Sequence, residues 1–250
     1  MLDRKQEGWP TPYEFIAETG FSDIVLVCEH ASNFIPSEYS QLGLSDDDVQ
    51  RHIGWDIGAG EVTRLLAKGL GAAAFLGNYS RLLIDLNRPL GAIDSIPEQS
   101  EGTVIPGNCT ISARERGLRA ELLFVPFHNA LSAYLTQRKQ LHRTTRLLTI
   151  HSFTPVYQGV IRPWDAGVLY ASAREFAQRV LTGLKDATAF NIVFNEPYRI
   201  DRDSDYAILV HGDDRAIDAV LLEIRNDHIG DQAGVREWAG LLAGVITESR

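Results

Sequence analysis

Short apolar runs without a polar break recur along this chain between longer stretches of helical periodicity. That alternation restricts the fold more than any other feature of the sequence. A run such as Ile24-Val25-Leu26-Val27-Cys28 has no polar face, so a strand built from it must be covered on both sides. Strands buried on both faces belong to parallel sheets wrapped by helices. Runs at 23–28, 73–76, 81–86, 147–150, 167–170 and 219–224 read as strands, with charged residues inside those at 81–86 and 219–224. Between them, Val62, Leu65, Leu66 and Leu70 recur at helical spacing over 58–70. Ser112 with Glu115 forms a capping-box pattern opening a long helix towards Leu141, kinked near Pro126. Ser172 with Glu175 repeats the cap signature, and a last helix starts near Gln232. No internal repeat and no Pro/Gly-rich linker divides the chain. The expectation is one α/β domain in three layers, α/β/α, around a mostly parallel mixed sheet.

Such sheets bind ligands in the crevice at the carboxyl ends of their strands. His30, Asn87-Arg88 and His151 fall at predicted strand ends, and Glu223 falls late in its strand. A histidine there is aimed into the crevice, and neutral imidazole is the commonest zinc ligand. The alternative for each is a helix cap or a filled polar pocket. Asp56, following His30 closely and beginning the next helix, is the best third ligand; a plain helix cap is its alternative. His52, four residues earlier, shares a helix face with Asp56 if the helix starts early, and is then a ligand or a partner that orients it.

In 81–88, Arg81 and Asp85 sit on one strand face inside an apolar run, where charges are costly unless paired. Arg88 projects from the end, where a planar guanidinium can hold a carboxylate through two parallel hydrogen bonds. Glu223 is a carboxylate within an apolar strand; burial raises its pKa and suits it to accept and return a proton, unless it pairs with Arg225 on the same face.

Other chemistries are excluded by what the motifs lack. The glycine-rich 54–60 has no phosphate-loop lysine, Gly69-Leu70-Gly71 lacks a third dinucleotide glycine, and no G-x-S-x-G, H-E-x-x-H or C-x-x-C occurs. A net charge of −9 argues against nucleic acid and anionic membranes as partners. A small anionic substrate is compatible with that charge, because clustered arginines can reverse the field inside one cleft. The chain has no signal-peptide core and no apolar stretch of about 18 residues. Its two cysteines, Cys28 and Cys109, read as reduced thiols. A cytoplasmic protein is therefore expected, its oligomeric state left open.

The segments CEHASNFIP, HIGWDIGAG, SRLLIDLNRP, TIHSFTP, IRPWDAGVLY, NEPYRID and LLEIRNDHI, in this order over about 28–230, resemble the N-formylglutamate amidohydrolase family. Asp85-Leu86-Asn87-Arg88 is also similar to a carboxylate-binding string of zinc carboxypeptidases, although Asn33 stands where those enzymes place a glutamate ligand. The resemblance implies a phosphorylase/hydrolase-like, zinc carboxypeptidase-like fold. It implies one Zn²⁺ on His30, Asp56 and His151, with Glu223 as general base and acid. Arg88 and Asn87, with Arg81, Arg162 or Arg225, would clamp substrate carboxylates, and His211 would assist the oxyanion. The implied reaction is hydrolysis of N-formyl-L-glutamate or a related N-acyl amino acid, as in histidine degradation. Two rival readings are a Cys28-dependent amidase and a carboxylate-binding module that has lost turnover.

Overall fold

Every residue of Ile24–Cys28 and Ala73–Gly77 is buried, as runs without a polar face require. The computed structural model describes residues 8–248. In chain order its strands are β1 (Tyr13–Ile16), β2 (Ile24–Cys28), β3 (Ala73–Gly77), β4 (Gln99–Ser100), β5 (Thr103–Val104), β6 (Arg146–Phe153), β7 (Val156–Tyr157), β8 (Val160–Ile161), β9 (Ala166–Leu169), β10 (Ile192–Phe194) and β11 (Asp218–Arg225). Seven of them form one sheet in the order β1-β3-β2-β6-β11-β9-β10. The inner pairs β3/β2, β2/β6 and β6/β11 are parallel, as is β9/β10. β1/β3 and β9/β11 are antiparallel, which makes the sheet mixed. β4/β5 and β7/β8 are small separate hairpins.

Helices are α1 (Asp46–Gln50), α2 (Ala59–Leu70), α3 (Ala113–Arg119), α4 (Val125–Gln140), α5 (Arg174–Ala187) and α6 (Gln232–Glu248). One core joins α2, α5 and α6 to the sheet through Leu66, Phe176, Val180 and Trp238 against Leu26, Leu148 and Leu222. A second core covers the opposite face, where Phe127, Leu131 and Leu135 of α4 meet Val25, Leu147 and Leu221. Each such side chain, taken wholly out of water, contributes about 1.5–3 kcal/mol. Two cores on two faces give the three expected layers. No described helix is long and apolar enough to cross a membrane.

Near Pro126, where a kink is expected, the helical ladder changes its hydrogen-bond spacing. A wide π-helical turn, Ala120–Phe124, separates α3 from α4, and Ser112 caps α3 by accepting the Glu115 N–H. A proline has no N–H for the helical ladder, and the wider turn accommodates that gap.

Three expectations are corrected. The run at 81–86 is not a strand but a series of turns. Ser80 Oγ accepts the Leu82 N–H, Ser80 O accepts the Leu83 N–H, Asp85 donates its N–H to Ser95 O, and the Asp85 carboxylate accepts the Asn87 N–H. These local bonds satisfy the backbone without a ladder, while Leu82, Leu83 and Leu86 fill the second core. Ser172 does not cap α5: its hydroxyl donates to Asp213, and the helix begins behind Ala173 without a side-chain cap. β6 continues past His151 to Phe153, so that histidine lies within the strand.

Candidate active site

Asp56 stands in the loop leading to α2, not in the helix. Its N–H donates to His30 O at 2.9 Å and its carbonyl accepts the Ala59 N–H, so the loop is tied to the end of β2. Gly58, at φ +80°, completes the bend; a Cβ there would lie 2.1 Å from the Ile229 carbonyl oxygen. The glycines of 54–60 thus serve close backbone packing and not phosphate binding. The same loop brings the Asp56 carboxylate beneath β6, where the Ser152 N–H donates to Oδ2 at 3.3 Å.

At that point the two histidines, separated by nearly half of the chain, converge. His30 Nδ1 lies 3.3 Å and His151 Nδ1 2.8 Å from Asp56 Oδ2, with ring centroids 4.9 Å apart. One donor atom from each of the three residues falls within 4.8 Å of the others, and all three residues are buried. A tetrahedral zinc site with bonds near 2.0–2.2 Å separates its donors by roughly 3.4 Å, close to this spacing. The far nitrogen of each ring is fixed by a further carboxylate: His30 Nε2 against Asp85 Oδ1 at 2.7 Å, and His151 Nε2 against Glu29 Oε2 at 3.0 Å. A carboxylate holding the outer ring N–H selects the tautomer whose other nitrogen can bind a cation. The donor set and its support fit a divalent metal such as zinc.

The carboxylates dominate the electrostatics of the cluster. Burial alone would lower the His151 pKa, but Glu29 and Asp56 hold it well above the usual histidine value. Burial opposes ionisation of Asp85 too, yet Arg81 and His30 keep its carboxyl well below the ordinary range. Arg81 donates to Asp85 Oδ2 at 2.7 and 3.0 Å and reaches Asp56 Oδ1 at 3.3 Å. Glu223 is the exception among these carboxylates. Burial, then the charge of Asp56, pushes its pKa up to about 7 against the pull of His151. Glu223 is 6% exposed, and its Oε2 has no hydrogen-bond partner. It pairs in register with His151 across β6 and β11, so both project on the α4 side of the sheet.

These groups line a cavity of about 600 Å³. His30, Asp56, His151 and Glu223 form its floor; Arg81, Asn87, Arg88 and Arg162 belong to its walls. Asn87 also organises the wall opposite, since its Oδ1 accepts the N–H groups of Tyr206 and Ala207 at 3.1 Å. Arg88 is engaged by Asp94 at 2.8 Å and by the Ser204 carbonyl.

Two expected members do not join the cavity. Arg225 turns away from Glu223 and pairs with Asp165 at 3.0 Å and Asp227 at 2.8 Å. His211 is buried behind the second core, its Nε2 2.9 Å from His128 Nδ1, in a π-helical turn at Ile208–Gly212. Burial pushes the two pKa values down to about 3 for His211 and about 4 for His128. His52 shares no helix face with Asp56, because α1 ends at Gln50; it pairs with Glu101 at 2.8 Å. Cys28 is buried in the first core, and burial with the nearby Asp56 and Glu29 charges raises its thiol pKa well above normal. That environment disfavours the thiolate a nucleophile needs. Sequence reasoning missed Glu29 and Asp85 as supports of the two histidines, although a carboxylate directly before His30 was a usable signal.

A mixed α/β/α sheet with imidazoles and carboxylates gathered at the ends of its central strands defines a hydrolytic class of enzyme. Within that class the chain belongs to the N-formylglutamate amidohydrolase family, whose model matches residues 22–230, and amide hydrolysis is the chemistry of that family. A gene product of Agrobacterium tumefaciens is 35% identical, with a TM-score of 0.91 over 96% of this chain and 95% of that one. An N-formylglutamate amidohydrolase from Ralstonia eutropha shares the fold at 16% identity, with a TM-score of 0.73 over 96% and 97%. No curated protein matches the chain.

Proposed function

We propose that this protein is a zinc-dependent amidohydrolase cleaving N-formyl-L-glutamate, or a related N-acyl amino acid, to the free amino acid and formate or another carboxylic acid. The observation that carries the reading is the convergence of His30, Asp56 and His151 beneath a buried carboxylate, Glu223, with an unpartnered oxygen. His30, Asp56 and His151 would hold the ion. When bound there, Zn²⁺ supplies Lewis-acid polarisation and makes water more acidic.

The chain's own residues do the rest. Asp85 and Glu29 keep the two imidazoles oriented. Glu223, buried with an unpartnered Oε2, accepts the proton of the attacking water and returns it to the departing amide nitrogen. Arginines of the wall receive the substrate's carboxylate charge inside an otherwise acidic protein.

The test is amine release from N-formyl, N-acetyl and N-succinyl amino acids by protein of measured metal content. One zinc per chain and loss of hydrolysis on chelation are expected. Glu223→Gln should keep its metal and lose at least about 10²-fold in rate. Hydrolysis that survives chelation would refute zinc dependence, and a Glu223→Gln variant at full rate would remove Glu223 from its role.

A further inference from the structure

Of the arginines that line the cavity, Arg81 and Arg88 are engaged, Arg199 is exposed to solvent, and Arg162 combines burial with an unfilled donor. Arg81 is bound to Asp85 and Asp56, and Arg88 to Asp94 and the Ser204 carbonyl. Arg162 differs. It is 9% exposed, and its Nη1 lies buried with no hydrogen-bond partner. A guanidinium brought this far out of water without an anion is expensive, and its buried donor calls for an acceptor. What surrounds it instead is aromatic: its Cζ lies 4.5 Å from the Tyr157 ring centroid and 4.9 Å from that of Tyr198, with Phe153 at 5.9 Å. Aromatic faces orient a guanidinium plane without occupying its N–H donors.

Geometry fixes this clamp at the mouth. Arg162 directly follows β8, and its N–H closes the β7/β8 hairpin on the Pro155 carbonyl at 2.8 Å. Tyr157 belongs to β7, and the Gln158 N–H next to it donates to Glu101 Oε1 of the β4/β5 hairpin. Tyr198 lies on the far wall with its ring partly exposed, and it lines the same cavity as Glu223.

We infer that Arg162, clamped between Tyr157 and Tyr198, is the carboxylate subsite that sets substrate choice, in place of Arg88. The substrate class is then N-acyl amino acids presenting a free carboxylate to the hairpin side of the cavity, and neutral N-acyl amines are rejected because they leave Arg162 unpaired. The inference rests on the hydrolytic reading of the same cavity and specifies what it recognises.

The experiment compares N-formyl-L-glutamate with its two mono-amides, N-formyl-L-glutamine and N-formyl-L-isoglutamine, by amine release. A charge-assisted pair at Arg162 predicts that neutralising one carboxylate costs the wild type roughly 10- to 100-fold in kcat/KM, carried mainly by KM. Arg162→Gln should lose that preference, Arg162→Lys should restore part of it, and Arg88→Gln should retain it. Wild-type indifference to both amides, or preference lost in Arg88→Gln and kept in Arg162→Gln, overturns the assignment. If wild type releases amine from none of these compounds, the hydrolytic reading fails separately. Calorimetric binding of glutarate, which has no scissile bond, then decides the subsite. Binding to wild type that is lost in Arg162→Gln and partly regained in Arg162→Lys upholds it; equal binding, or none to any of them, overturns it.

Discussion

Replacing the buried histidine pair behind the cavity should make the protein less sensitive to mild acid. His128 and His211 hydrogen-bond to each other, and His128 Nε2 donates to the Leu86 carbonyl at 2.8 Å. Burial depresses the His128 pKa to about 4; burial, then the charges of His128 and Arg215, depress that of His211 to about 3. Both are below the unfolded value of 6.5, so between these limits the unfolded chain binds more protons than the folded one. Their contribution to stability is fully present above pH 6.5 and is lost as the pH falls towards the folded values. At pH 5, about one and a half units below 6.5, each histidine has cost roughly 2 kcal/mol, and the pair roughly 4 kcal/mol. That is a large share of a typical 5–15 kcal/mol. The assay is urea unfolding at pH 8 and pH 5 of wild type and a His128→Gln/His211→Asn double variant. His151, held above its usual value by Glu29 and Asp56, changes in the opposite sense but is common to both proteins and cancels. The drop in stability from pH 8 to pH 5 should be smaller in the variant by about 4 kcal/mol. An equal drop in the two proteins would refute the reasoning.

Glu29→Gln and Asp85→Asn should each weaken zinc binding by about 10- to 100-fold while leaving the three proposed ligands in place, measured by competition with a chelating dye. Gly167→Ala should destabilise the fold by about 1–3 kcal/mol in thermal or urea unfolding, since its Cβ would lie 1.7 Å from the Glu196 carbonyl oxygen and backbone must move.

The inner strands were readable because their apolar runs have a single physical solution, burial on both sides; Ile24–Cys28, Ala73–Gly77 and the core of β11 follow directly. β1 and β10 were not, because they are short edge strands whose residues are largely half-exposed: Glu14 breaks the apolar run of β1, and the three apolar residues of β10 are too few to mark a strand. The segment 81–86 looked like a strand for the same reason the true strands did. Its leucines are indeed buried, but Ser80 and Asp85 offer the backbone local partners, a competition that periodicity does not record. His30 and His151 were legible as candidates through residue type at predicted strand ends, Glu223 as a carboxylate late in an apolar strand and Asp56 by its closeness to His30, and the fold brings them together. Arg225 was not separable from Arg162 by sequence, because only the surroundings distinguish them. One has Asp165 and Asp227 beside it, the other has aromatic rings and no anion.

His151 and Glu223 occupy matched positions on adjacent parallel strands, so their separation is set by main-chain hydrogen bonds in the middle of the sheet. Arg162 and Tyr157, by contrast, ride on a hairpin only two residues per strand in length. Insertions or exchanges in that hairpin can therefore move Arg162 and Tyr157 while the distance between the central imidazole and its neighbouring acid stays constant. The rim of the cavity and its floor are thus mechanically independent parts of one fold.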